Sequence, residues 1–220
     1  MTSSFRFTFS NLEEQYTAAI EAGYHFITCE QYALNKEQLH PFTVVNRVDI
    51  DFSCKKAGRL LELFEGLGLK ATFFVRLHAP EYNPFSFENY RILKDIRDCG
   101  HEIGYHSEIV DQAAIWKEDA AECLARDLAT LNGMLDIQVK GVASHGGMTG
   151  LNNLDFWENR TAKEFGLLYE AYDKSPEFNL FQESFYVSDS EWTRWKCYDK
   201  GELREGDSRS FAEHLEDKHP

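Results

Sequence analysis

Residues 42–77 read FTVVNRVDIDFSCKKAGRLLELFEGLGLKATFFVRL, and this stretch decides the fold class. It opens with a β-branched, apolar run over 42–53 that becomes polar at its end. The segment 55–67 then repeats apolar residues at helical intervals, and KATFFVRL follows as a second short apolar run. Because strand–helix–strand is the unit from which parallel sheets are built, the stretch predicts one such unit.

The same alternation extends to both sides of this unit. Apolar spacing predicts helices over 11–22, within 85–100 and over 119–135. Short apolar runs predict strands in GHEIGYH (100–106) and in IQVKGVASHG (137–146). Strands that alternate with helices favour an α/β fold with a parallel sheet or barrel.

The bulk composition predicts a single domain over residues 1–220 and excludes two classes of partner. A formal net charge of -14 argues against nucleic acid and against an anionic membrane surface, because both need a basic face on the protein. The five cysteines form no CxxC pair, so we expect reduced thiols, most of them in the core. Neither a secretory signal pattern nor an apolar window of about 18 residues is present, which predicts a cytoplasmic protein.

Polar side chains stand where three predicted strands end. They are Asp49 and Asp51, His106 and Glu108, and His145. In parallel α/β folds, ligands bind at the carboxyl ends of the strands, because the loops converge there. We therefore expect these five side chains to face one site.

Asp49 and Asp51 alternate in RVDIDFS, so they share one face if the strand stays regular that far. Two adjacent carboxylates repel each other unless a cation or a proton intervenes, which indicates a metal ion or a raised pKa. The alternative is structural, since Asp and Ser also cap helix N-termini and a helix follows.

His106 and Glu108 could approach one ion from an extended segment. Catalytic zinc sites have three His, Asp or Glu ligands and an open position for water, and Asp51, His106 and a third group would suit that role. His145, in ASHGGMTG, could be that ligand, a general acid, or a loop histidine without a task. His101, at the start of its strand, is predicted to be structural.

Two further regions offer substrate contacts. Arg76 follows the strand ATFFV and could orient an anionic or carbonyl group, or lie on the surface without function. SFYVSDSEWTRWKCY (184–198) predicts one or two strands, in which Trp192 and its aromatic neighbours could wall a groove. The alternative is that these rings pack in the core.

The motifs RVDIDFS, KATFFVRL, GHEIGYHSE and ASHG resemble those of polysaccharide deacetylases of the NodB-homology class, particularly the divergent branch with an RHDVD motif. The resemblance runs from about residue 7 to about residue 195. It implies a distorted (β/α) barrel and metal-dependent removal of N-acetyl groups from sugars. It further implies that Asp49 is the catalytic base and that Asp51 and His106 bind the metal.

The sequence departs from the family pattern at several positions. Val110 stands where the family has a second histidine, Glu108 matches the acidic residue of the divergent branch, and Asp111 is a fallback ligand. Val48 replaces the histidine of RHDVD, and no apolar strand precedes His219 near the end. These departures imply an incomplete barrel, a fragment, or a site that is closed differently.

The resulting hypothesis is a metal-dependent amide hydrolase that acts on an N-acylated sugar. One divalent ion, zinc or else nickel or manganese, is held by Asp51, His106 and either Glu108 or His145. Asp49 takes the proton of the bound water, Arg76 helps to stabilise the oxyanion, and His145 protonates the leaving amine if it is not a ligand. The alternatives are an inactive carbohydrate-binding protein on the same fold and an amidase for a non-sugar amide.

Overall fold

The computed structural model describes residues 7–189 and 193–215. The α-helices whose bounds lie within this part of the chain are α1 (Phe9–Glu21), α2 (Cys29–Asn35), α3 (Cys54–Leu67), α4 (Phe87–Asp98), α5 (Ile109–Trp116), α6 (Ala120–Leu135), α7 (Leu180–Glu183) and α8 (Phe211–His214), and short 3-10 helices span Lys36–Gln38, Asn153–Trp157 and Ala162–Phe165. The strands are β1 (His25–Ile27), β2 (Thr43–Val45), β3 (Arg47–Ile50), β4 (Thr72–Val75), β5 (Glu102–Ser107), β6 (Gly141–Ser144), β7 (Tyr169–Glu170), β8 (Phe185–Ser188), β9 (Lys196–Asp199) and β10 (Glu202–Leu203).

The central sheet is parallel, which confirms the predicted α/β class. Its strand order is β3-β4-β5-β6-β7, and β1 and β2 form a separate parallel pair. Asn46 joins the two sheets, because its N–H donates to the Ile27 carbonyl oxygen and its own carbonyl accepts from Thr72 N–H. Closure into the barrel that the resemblance implies stays a prediction.

Both faces of the sheet are buried, which explains the continuous apolar run of β4. Phe73 and Val75 pack into a cluster shared with α3, α4 and α6. Phe74 points to the other face, where it packs with Tyr32 of α2 and with Tyr169 of β7. The polar residues at the carboxyl ends of the strands lie on this second face, so its aromatic side chains pack beneath the candidate site.

Two glycines let aromatic rings lie directly on the strands of that second face. A Cβ at Gly104 would come within 2.4 Å of the Phe74 ring, and one at Gly141 within 1.9 Å of the Tyr169 ring. Tyr169 is fixed by stacking on Phe178, with ring centroids 4.5 Å apart. The absence of a side chain at these two positions is therefore a packing requirement.

The end of β3 differs from a regular strand. β3 stops at Ile50, and the Asp51 N–H donates to the Asp49 carbonyl oxygen over 3.1 Å, so the chain turns there. The N-cap of α3 is Ser53, whose hydroxyl accepts from Lys56 N–H. Neither aspartate caps the helix, which removes the structural alternative for this pair.

The last part of the described chain forms a small antiparallel sheet of order β10-β9-β8. The segment 184–198, for which one or two strands were predicted, contributes two, β8 and β9. All five cysteines are free thiols, and four of them are buried, as expected. Within residues 7–189 and 193–215, no helix combines the length and apolarity that a bilayer crossing needs.

Candidate functional site

Three strand ends bring three potential ligand atoms together. One donor atom each from Asp51, His106 and His145 lies within 4.8 Å of the other two. Nε2 of His106 is 3.2 Å from Asp51 Oδ1, and Nε2 of His145 is 3.7 Å from the same oxygen. The parallel register produces this meeting, because His106 pairs with Ala143 and His145 follows two residues later.

The His106 ring is oriented by the neighbouring strand. Its Nδ1 lies 2.8 Å from the Ala143 carbonyl oxygen, which can only accept, so Nδ1 carries the proton. Nε2 is left to face Asp51. Burial lowers the pKa of His106, but the charge of Asp49 and the contact with Asp51 outweigh it and raise the pKa. This tautomer and orientation are those of a metal-binding histidine.

Asp49 is held by an arginine from its own strand. Arg47 donates from Nε to Asp49 Oδ1 over 3.0 Å and from Nη2 to Oδ2 over 2.8 Å. Burial alone would raise the pKa of Asp49, but the Arg47 and His106 charges lower it to about 2. Asp49 Oδ2 lies 3.8 Å from His106 Nε2. An ionised carboxylate therefore lies next to the donor group, by which we mean the potential metal-ligand atoms of Asp51, His106 and His145.

Sequence reasoning missed Arg47, although a signal for it was present. Arg47 and Asp49 are two residues apart on a strand and therefore share a face. The guanidinium also lies over two aromatic rings, 5.4 Å from the Phe74 centroid and 5.0 Å from that of Tyr172. The rings and the bidentate pairing together fix the direction of the Asp49 carboxylate.

Glu108 and Arg76 form a buried ion pair beside the donor group. Arg76 Nη2 donates to Glu108 Oε1 over 2.7 Å, and both side chains are 3% exposed. The same Glu108 oxygen lies 3.7 Å from His145 Nδ1. Glu108 is not one of the three residues whose donor atoms converge in the described chain, so its role as a ligand stays a prediction. At that distance Glu108 makes no hydrogen bond to His145, and its second carboxylate oxygen has no hydrogen-bond partner within the described residues.

Arg76 contacts the backbone of the site as well. Its Nη1 donates to the Asp51 carbonyl oxygen over 3.0 Å and also contacts Glu81. The guanidinium thus ties the turn that carries Asp51 to Glu108. That Arg76 also binds substrate stays a prediction, since these contacts give it a positioning role.

Asp111, the fallback ligand, is occupied elsewhere. Its carboxylate accepts from the backbone N–H groups of Met148 and Thr149, from the Thr149 hydroxyl and from Asn153 Nδ2. Burial would raise the pKa of Asp111, but these hydrogen bonds lower it. Asn153 Nδ2 also donates to the His145 carbonyl oxygen over 3.0 Å. Asp111 and Asn153 therefore hold the loop that presents His145, and Asn153 gave no recognisable sequence signal.

The donor group fits a divalent cation. Asp51 Oδ1 is buried and makes no properly directed hydrogen bond within the described residues, although two imidazole nitrogens flank it. A buried carboxylate oxygen without a hydrogen bond is costly unless a cation compensates it. One carboxylate and two imidazoles are also a ligand set that zinc accepts. Burial, followed by the His106 and Arg76 charges, lowers the pKa of His145, which favours its neutral, ligating form.

A cavity of about 800 Å³ opens beside this group. Asp49 and Asp51 line one end, and Tyr172, Tyr186 and Trp195 contribute aromatic surface. Asp189 lines it too, and burial together with the Asp49 and Asp51 charges raises the pKa of Asp189 to about 6. Trp192, predicted to bind substrate, lies outside the described residues.

Comparisons with known proteins give a weak likeness in backbone shape. No protein-family model matches the sequence, and no curated protein does. IcaB from Ammonifex degensii is 18% identical, and the likeness covers 67% of this chain and 70% of that chain with a TM-score of 0.49. The deacetylase PplD of Streptococcus pyogenes, in complex with acetate, is 14% identical over 60% of this chain and 59% of that chain, with a TM-score of 0.46. At these values the likeness assigns neither a family nor an activity to this chain.

Proposed function

We propose that this protein is a metal-dependent amide hydrolase that removes an acyl group from an N-acylated sugar. The observation that carries the proposal is the convergence of Asp51 Oδ1, His106 Nε2 and His145 Nε2, with the ionised Asp49 carboxylate at their border. A ligand set of this type with an adjacent base is the equipment of metal-assisted hydrolysis.

Asp51, His106 and His145 would hold the ion. When bound, a divalent cation lowers the pKa of a water ligand and polarises a carbonyl group. Around it, the Ala143 carbonyl fixes His106, Glu108 faces His145 Nδ1, and Arg76 holds the Asp51 backbone. The hydrogen bonds of the Ala143 carbonyl and of Arg76 hold His106 and the turn at Asp51 in place before any substrate arrives.

Asp49 would act as the base. Arg47 keeps its carboxylate ionised across the neutral range, so it can accept a proton from the attacking water. The same carboxyl group can return that proton to the leaving amine as the C–N bond breaks, which gives a carboxylic acid and an amine. In this assignment His145 is a ligand, and its alternative role as the general acid stays a prediction.

The sugar part of the proposal rests on the cavity and on charge. A volume of about 800 Å³ suits an extended small-molecule ligand, and aromatic rings offer flat apolar faces beside the carboxylates. The net charge of -14 and the four cavity carboxylates Asp49, Asp51, Glu183 and Asp189 disfavour an anionic substrate. A neutral N-acetylated oligosaccharide fits both conditions.

The test combines metal content with turnover. Purified protein and its Asp51→Ala and His106→Ala variants are analysed for zinc, nickel and manganese, and acetate release from N-acetylglucosamine oligomers is measured. We expect each variant to lose about one ion per chain and all turnover, while circular dichroism stays unchanged. Asp95→Ala, which replaces an exposed aspartate on α4, is the matched control, and we expect it to keep both its bound metal and its turnover.

Three results would contradict the proposal. Unchanged metal content in both site variants would remove the ligand assignment. Acetate release from N-acetylated peptides but not from sugars would assign a non-sugar amide instead. Sugar binding by metal-free protein without turnover would favour an inactive carbohydrate-binding protein.

A further inference from the structure

A second group of metal-binding side chains lies in the C-terminal part of the described chain. It consists of Cys197 on β9, Asp207 in the loop between β10 and α8, and His214 on α8, with one ligand atom of each within 4.8 Å of the others. Cys197 is fully buried and His214 is 3% exposed. The nearest sequence separation within the group is seven residues, so the fold and not a local motif assembles it.

The geometry distinguishes this group from a catalytic relay. Cys197 Sγ lies 3.1 Å from His214 Nε2, and Asp207 Oδ1 lies 3.6 Å from the same nitrogen. In a nucleophile–base–acid relay, the carboxylate contacts the opposite ring nitrogen. Here the sulfur and the carboxylate oxygen both face Nε2, so three donor atoms surround one point.

The separations suit a shared ion. Bonds of about 2.3 Å to sulfur and about 2.0 Å to nitrogen place tetrahedral ligand atoms roughly 3.5 Å apart. Arg209 orients the carboxylate, donating from Nη2 to Asp207 Oδ2 and from its backbone N–H to Oδ1. The Cys197 thiol donates to the Arg209 carbonyl oxygen over 3.6 Å, so this oxygen is a further potential ligand next to the group.

We propose that Cys197, Asp207 and His214 form a second, structural metal site that takes a zinc-class divalent cation. The combination of thiolate, imidazole and carboxylate selects zinc over magnesium or calcium. When the ion binds, the sulfur–metal bond replaces the S–H bond and the proton leaves to the buffer. The burial of Cys197 and His214 suits an ion with a structural role.

The site would fasten one wall of the substrate cavity. His214 lines that cavity, and its ring contacts Phe185 of β8 with centroids 4.6 Å apart. An ion would therefore join α8 and the 207 loop to β9, which lies in the same sheet as Phe185. Folding of this region would depend on metal, as in other small structural sites.

Cobalt distinguishes the two sites, because only the second contains sulfur. Protein stripped by a chelator is loaded with Co²⁺ and its near-ultraviolet thiolate-to-cobalt absorption is recorded, and zinc content is measured in parallel. We expect the band in unaltered protein, in Asp51→Ala and in Cys99→Ser, the matched thiol control on a half-buried cysteine. We expect Cys197→Ser to lose the band and His214→Ala to lose about one zinc per chain.

A second variant keeps the test decisive if Cys197→Ser fails to fold. Asp207→Asn preserves the shape of the side chain. Zinc should raise the melting temperature of Asp51→Ala, but it should not raise that of the double variant Asp51→Ala, Asp207→Asn. Absence of the band in unaltered protein, or its retention in folded Cys197→Ser, would overturn the site and leave only a thiol–imidazole hydrogen bond. Neither result bears on the site at Asp51, so the two proposals fail independently.

Discussion

Arg47 donates to both carboxylate oxygens of Asp49, from Nε over 3.0 Å and from Nη2 over 2.8 Å. Both residues lie on β3 and project from the same face of the sheet. The pair places a permanent negative charge 3.8 Å from His106 Nε2. Arg47, a residue of the same strand, therefore keeps Asp49, the base of the proposed reaction, ionised.

The pairing predicts a specific pH dependence of stability for metal-free protein. The pKa of Asp49 falls from 3.8 to about 2 on folding. A carboxyl with a lowered folded-state pKa stabilises above its unfolded value and loses that effect as the pH falls toward the folded value. Asp49→Asn should lower the free energy of unfolding by roughly 2 kcal/mol at pH 6, and the difference should shrink between about pH 4 and pH 2. Urea unfolding across that range measures it.

The control for this prediction is Asp95→Asn, because Asp95 is exposed. The free energy of unfolding of this variant should stay close to that of unaltered protein at every pH. A constant deficit of Asp49→Asn from pH 6 to pH 2 would show that the Arg47 pairing does not lower the pKa.

The buried Arg76–Glu108 pair predicts non-additive substitutions. Arg76→Met leaves the Glu108 charge buried without its partner and should cost about 3–5 kcal/mol in the free energy of unfolding. Glu108→Gln should cost a similar amount, and the double variant should cost clearly less than the sum. A double-mutant cycle in urea measures the coupling, and additive costs would contradict a direct pair.

A substitution that loosens the loop carrying His145 should weaken metal binding although all three ligands remain. Asn153→Ala removes the donor to the His145 carbonyl oxygen and one partner of Asp111. Affinity for zinc should fall about 10- to 100-fold, as for other residues that orient ligands. Titration with a competing chelator measures the affinity. Asn89→Ala, a half-buried asparagine on α4, should leave it unchanged.

Two glycines predict opposite effects of the same substitution. Gly141→Ala drives a methyl group to within 1.9 Å of the Tyr169 ring, which Phe178 stacking prevents from moving. It should lower the free energy of unfolding by about 3 kcal/mol. Gly133→Ala, inside α6 with no atom within 4 Å of the new Cβ, should raise it by roughly 0.5–1 kcal/mol. A stable Gly141→Ala protein would refute the close packing of Tyr169.

The sequence alone determined the parallel α/β class and the polar strand ends. Both follow from local periodicity, because a buried strand needs an apolar run and a covering helix needs an apolar face. The predicted helix over 55–67 became Cys54–Leu67, and the segment over 119–135 became Ala120–Leu135. These elements depend on neighbours within a few residues, which a single sequence contains.

Only the tertiary structure decided which side chains meet. The sequence offered Glu108 or His145 as the third ligand, with Asp111 as a fallback. In the folded chain Arg76 binds one oxygen of Glu108 and the 148–153 loop occupies Asp111. His145 reaches Asp51 because β6 pairs with β5 in a register that no local pattern encodes. The same holds for Cys197 and His214, which lie 17 residues apart and come into contact only in the folded chain. Distances between side chains depend on strand pairing and loop hydrogen bonds, so they exist only once the chain has folded.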